Sequence, residues 1–133
     1  MTTGLLLITH DHIGRALVDS ATTMMGMCPM ALEVLPVTPG CDPDDLGRET
    51  LAAIERLNRG DGVLVLTDLY GSTPSNIANR LADLDYVRVV VGLNLPMLIR
   101  VLNYPALTLD ELLEKAVSGG QDGIFACGPN SEQ

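Results

Sequence analysis

The strongest constraint on this chain is an alternation. Short, uninterrupted apolar runs exchange with longer stretches whose apolar residues recur every three or four positions. The runs are Leu5-Leu6-Leu7-Ile8, Leu32 to Val37, Val63 to Leu66, and Val87 to Val91 with only Arg88 interrupting. A strand without a polar face is one buried on both sides, the condition of a parallel sheet covered by helices. Between the runs, Ile13, Ala16, Leu17, Ala21, Met24 and Met25 fall on one helical face, which Gly26 and Pro29 terminate. Asp42-Pro43-Asp44-Asp45 starts a second helix with an N-cap, a first-turn proline and acids at the positive end. Its apolar face is Leu46, Ala53, Ile54 and Leu57 with Thr50, and Gly60 stops it.

Thr73-Pro74 opens a third helix carrying Ile77, Ala78, Leu81 and Ala82, a short one is expected from Pro96 to Asn103, and Thr108 to Glu111 form a capping box. That last helix is expected to end at Gly119-Gly120, with Gly123 to Cys127 as a short fifth strand. Strands alternating with helices define an α/β fold, doubly wound on a mainly parallel sheet. Pro36 cannot donate to a central ladder, so the second strand belongs at an edge. The expected order is therefore 2-1-3-4, the flavodoxin-like arrangement, in which ligands and chemistry gather past the carboxyl ends of strands one and three. At 133 residues the chain fits one domain, expected over 1–127, with 128–133 as a flexible tail.

Composition narrows the function. The formal net charge is −9, which disfavours nucleic acid and anionic membrane and suits a partner with a basic face. Three Tyr, one Phe and no Trp leave an aliphatic core. The three cysteines, Cys28, Cys41 and Cys127, lie far apart without a CxxC, the pattern of reduced thiols. No run approaches the ~20 apolar residues of a membrane span, and the N-terminus lacks a basic signal region, so a cytoplasmic protein is expected. The methionines around Met24 to Met30 read as a helix end and turn filling core gaps.

Both histidines of the chain stand at the end of strand one, in Thr9-His10-Asp11-His12. Strand three ends in Thr67-Asp68-Leu69-Tyr70, followed by Gly71-Ser72-Thr73-Pro74 at a helix start. An imidazole here can act as a nucleophile through one nitrogen while a carboxylate holds the N–H of the other. Asp68 is placed for that orienting role. Gly71, Ser72 and Thr73 offer backbone N–H groups and hydroxyls for an anion. Nucleophile, orienter and anion cradle suit phosphoryl transfer. His10, Asp11, His12 and Asp68 also present an HxH metal-ligand spacing, though without a third histidine or a thiolate nearby.

Thr9-His10, then Thr67-Asp68-Leu69-Tyr70-Gly71-Ser72-Thr73-Pro74-Ser75-Asn76, then Gly92-Leu93-Asn94-Leu95-Pro96-Met97-Leu98 together resemble the enzyme IIA domain of the mannose family, from the bacterial phosphoenolpyruvate:sugar phosphotransferase system. The resemblance spans nearly the whole chain. It implies a homodimer built partly through the C-terminal strand and a phosphocarrier cycle that uses neither metal nor cofactor. His10 would take the phosphoryl group from the carrier protein HPr and pass it to a IIB protein, with Asp68 supporting the ring. Departures from the family pattern are Ser72 where a glycine is common, Tyr70 where Trp is frequent, and Asp11-His12 after the active histidine. Two other functions stay open on the sequence. One is a regulatory module whose phosphorylation changes partner choice without onward transfer. The other is a flavodoxin-like nucleotide- or flavin-binding domain, which would lack a glycine-rich loop where Asp11-His12-Ile13-Gly14 stands.

Overall fold

The computed structural model describes residues 2–129. The elements are β1 (Gly4–His10), α1 (Ile13–Met25), β2 (Leu32–Val37), α2 (Pro43–Leu57), β3 (Val63–Thr67), α3 (Thr73–Asn79), β4 (Val87–Val91), α4 (Leu95–Leu102) and α5 (Leu109–Asp122). The strands form one all-parallel sheet in the order β2-β1-β3-β4. Pro36 lies on the edge strand opposite Thr9, where its missing N–H costs no ladder bond.

The sheet is buried on both faces because alternate residues of β1 and β3 feed two separate cores. Leu5, Leu7, Leu64 and Leu66 pack with Val18 and Ala21 of α1, Leu98 and Val101 of α4, and Leu112 and Ala116 of α5. Leu6, Ile8, Val63 and Val65 pack with Ala53 and Ile54 of α2 and Ile77 and Ala78 of α3. Each fully buried aliphatic side chain contributes about 1.5–3 kcal/mol. A one-residue slip in either central strand would exchange the two sets between dissimilar helix layers, so the register is strongly specified. It sets Ile8 of β1 opposite Thr67 of β3, which brings the carboxyl ends of the two central strands side by side.

The C-terminal end differs from expectation. Helix α5 runs through Gly119 and Gly120 to Asp122. These glycines serve close packing rather than termination. A Cβ at Gly119 would stand 2.7 Å from Arg100 Cβ, so a side chain there would push α4 away, while one at Gly120 would stand 2.9 Å from Met97 Cε and displace the end of that side chain. The expected fifth strand is absent among the described residues: Gly123 caps α5, and residues 124–128 carry no regular structure and are exposed. A strand exists only within a ladder, and this segment pairs with neither edge strand, β2 nor β4, among the described residues. Of the tail expected at 128–133, residues 130–133 lie outside the described residues. No helix among the described residues is long and apolar enough to cross a membrane.

Candidate active site

Sheet order turns at β1 and β3: the chain leaves β1 toward β2 on one side and resumes at β3 on the other. No connection crosses the gap between their carboxyl ends, and loops from both strands meet there. The last residue of β1 is His10, and Asp68 immediately follows β3. Their side chains touch. His10 Nδ1 lies 2.9 Å from Asp68 Oδ2, and the same oxygen accepts the His10 backbone N–H at 3.1 Å. A carboxylate only accepts, so Nδ1 is the donor in this contact and Nε2 is the ring nitrogen not bound to Asp68. The His10 side chain is 39% exposed while Asp68 is 11% exposed, so the imidazole faces outward from a shielded carboxylate. The remaining Asp68 oxygen, Oδ1, is buried without a donor among the described residues.

The two residues between His10 and α1 do not join this pair. Asp11 is exposed, with a left-handed φ of 42°, and its N–H donates to the Val37 carbonyl at 2.9 Å. His12 is the exposed N-cap of α1 and makes no side-chain capping bond. Among the described residues, no three His, Cys, Asp or Glu side chains converge as a metal site would require.

Gly71, Ser72 and Thr73 form the turn into α3, beside Asp68. Gly71 has φ 79°, a conformation that L-residues seldom adopt. Ser72 is largely occupied by its own turn: its hydroxyl donates to the Leu69 carbonyl and its N–H donates to Ser75 Oγ at 3.1 Å. Ser75, fully buried, returns a bond from its hydroxyl to the Ser72 carbonyl at 3.0 Å. Ser75 is a structural member of the site that sequence reasoning passed over, although Ser72-x-x-Ser75 has the spacing of a capping box. The groups left for an incoming anion are the Gly71 and Thr73 N–H and the Thr73 hydroxyl, which have no protein partner among the described residues.

The rim is apolar as well as polar. Ile13, Leu69 and Tyr70, within three residues of His10 or Asp68 in the chain, are exposed, Tyr70 by 72%. A cleft of about 510 Å³ between α4 and α5 contains neither His10 nor Asp68. The His10 imidazole therefore stands on an open rim rather than in an enclosed pocket.

A family model described as EIIA-man, PTS system fructose IIA component, matches residues 4–117. The chain is 30% identical over 131 residues to the PTS system mannose-specific EIIAB component of Escherichia coli (strain K12), covering 95% of this chain and 40% of that protein. It therefore spans about two-fifths of the length of that relative. Among solved structures, it is similar to the mannose/sorbose specific IIA subunit of the phosphotransferase system from Enterococcus faecalis, with a TM-score of 0.86, 26% identity and 100% of both chains covered. The PTS IIA protein associated with the fucose utilization operon of Streptococcus pneumoniae gives a TM-score of 0.81 at 26% identity, over 95% of this chain and 96% of that one. With the 2-1-3-4 parallel sheet and a match over most of its length, the chain belongs to the EIIA-man family, the mannose-type IIA components of the phosphotransferase system.

Proposed function

We propose that this IIA component is a phosphohistidine carrier: His10 accepts a phosphoryl group from the phosphohistidine of HPr and hands it to a IIB protein. The ring's orientation carries this reading. With Nδ1 bound to Asp68 at 2.9 Å, Nε2 is the nitrogen left to attack. The Nε2 lone pair forms a bond to phosphorus while the bond from phosphorus to the donor's ring nitrogen breaks, and the donor imidazole leaves with that electron pair. The His10 ring thereby gains positive charge with its Nδ1 proton still in place. The Asp68 carboxylate stabilises that charge and keeps the ring aligned for in-line transfer. Thr73 and Gly71 supply donors for the equatorial oxygens, while Ser72 holds the turn that presents them. Onward transfer to IIB is the same displacement in reverse.

The acidic chain and the apolar rim at Ile13, Leu69 and Tyr70 support a protein donor with a basic face around an apolar centre. No cofactor or metal enters the exchange, and a cytoplasmic location follows from the donor. A homodimer is part of the same proposal. The β4 edge is unpaired among the described residues, and the apolar stretch Ile124 to Cys127 is exposed, Ile124 by 76%. A strand edge and an unpaired apolar segment in each copy are mutually complementary. Light scattering would then give a dimer for the unmodified chain and a monomer for Ile124→Asp/Phe125→Asp.

Labelling tests the function. Mixed with phosphoenolpyruvate, enzyme I and HPr, the chain takes up one phosphoryl group, and His10→Ala takes up none. Addition of a IIB protein discharges the label. Labelling that persists in His10→Ala refutes the assignment, and label that no IIB protein removes leaves a regulatory module in place of a carrier.

A further inference from the structure

We infer that Thr9 and Gly14 are positioning residues for His10, a latch across the β1–α1 turn that sets the imidazole against Asp68; this rests on the role proposed for His10 above. A helix start leaves its first N–H groups without intrahelical acceptors. The N-cap of α1, His12, offers no side-chain acceptor. The Gly14 N–H instead donates to Thr9 Oγ1 at 2.8 Å, in a buried bond that reaches back across His10, Asp11, His12 and Ile13. Thr9 is fully buried in β1, so its hydroxyl does the work of an N-cap from the strand side.

Gly14 makes this contact possible by having no side chain. A Cβ there would stand 2.7 Å from Thr9 Oγ1 and 3.0 Å from Val34 Cγ1, too close for the hydroxyl and the strand behind it. The turn enclosed by the latch is strained. Asp11 holds a left-handed φ of 42°, which an L-residue keeps only when its surroundings hold it there. Its N–H is tied to the Val37 carbonyl at 2.9 Å, so the turn is held at β2 as well as at Thr9.

The consequence falls on the reacting ring. Asp68 Oδ2 is shared between the His10 backbone N–H at 3.1 Å and Nδ1 at 2.9 Å. The ring therefore keeps its place only while the backbone of this turn keeps its own. Without the Thr9 hydroxyl, Gly14 N–H becomes a buried donor with no acceptor, and the turn relaxes to hydrate it. The imidazole then loses its fixed distance to Asp68 without any change to either residue.

Three measurements decide it. In the unmodified chain, amide exchange at Gly14 should be at least about tenfold slower than at Ile13, whose N–H has no acceptor among the described residues. Thr9→Val, close in shape but lacking the hydroxyl, should slow transfer from HPr about tenfold, the scale of one lost hydrogen bond. Its His10 ring nitrogens should lose the single protonated-Nδ1 signature in NMR, and Thr9→Ser should restore both rate and signature. Gly14 exchanging as fast as Ile13, or Thr9→Val matching the unmodified chain in rate and ring signals, overturns the latch. Should Thr9→Val not fold, Gly14 exchange and the ring signals of Thr9→Ser still decide. If the unmodified chain takes up no phosphoryl group, the carrier reading fails instead, while exchange and ring signals continue to test the latch.

Discussion

One oxygen of Asp68 holds His10 twice: Oδ2 accepts from the ring at Nδ1, 2.9 Å away, and from the backbone N–H at 3.1 Å. Each bond supports the other. The backbone contact fixes where the strand ends relative to the carboxylate, and the ring contact fixes which nitrogen carries the proton. The pair comes from positions 58 residues apart, joined only because β1 and β3 are neighbours in the sheet.

Asp68→Asn separates charge from shape. The amide oxygen can still accept both bonds, so folding stability should change by no more than about 1 kcal/mol. The ring charge that develops in transfer loses its counter-charge, and the initial rate of labelling should fall about 10- to 100-fold, equivalent to about 1.4–2.7 kcal/mol. A thermal melt beside a labelling time course checks both. Full activity in this variant would remove the role given to the carboxylate.

Gly71→Ala tests the turn that presents the proposed anion donors. A Cβ at Gly71 meets nothing within 4 Å, so no clash contributes. The φ of 79° alone should cost about 1–2 kcal/mol, read as a lower urea midpoint with an unchanged slope. Stability equal to that of the unmodified chain would mean that the turn does not hold this conformation.

Glu111 provides a pH dependence remote from the site. Its carboxyl is held below its ordinary value of 4.5, first by the Thr108 backbone N–H and then by the Thr108 hydroxyl. A carboxylate depressed in the folded state binds protons less readily than in the unfolded chain. Its stabilising contribution is thus complete above pH 4.5 and declines as pH falls through the folded value. Melting temperatures of the unmodified chain and Glu111→Gln should differ at neutral pH and converge as pH drops below that range. A difference independent of pH would contradict the capping-box assignment.

Much of this architecture is legible in the residues because its signals are local. Asp42-Pro43 marks the start of α2, and the buried set Leu46, Thr50, Ala53, Ile54 and Leu57 is the face read from helical spacing alone. Pro36 identifies an edge strand, and from that edge the sheet order follows. The meeting of His10 with Asp68 is legible one step later, since the order decides which loops are neighbours. What escapes a sequence reading is whatever depends on a partner. Gly119 and Gly120 look like a helix stop, yet their role is set by Arg100 and Met97 on another helix. Gly123 to Cys127 has strand composition but pairs with no strand among the described residues. Ser72 reads as an anion donor, but its hydroxyl and N–H are spent on Leu69 and Ser75. The Thr9–Gly14 bond crosses five positions between a strand and a helix, a spacing that belongs to no regular motif.

The most direct measurement is the site of phosphorylation, atom by atom. Chain labelled by phosphorylated HPr, enriched in ¹⁵N and followed by ¹H–¹⁵N and ³¹P NMR, distinguishes the two ring nitrogens of each of the two histidines. The geometry at Asp68 predicts a single phosphoryl group on His10 Nε2, with Nδ1 still protonated. Phosphorus on His10 Nδ1, or on His12, would contradict it.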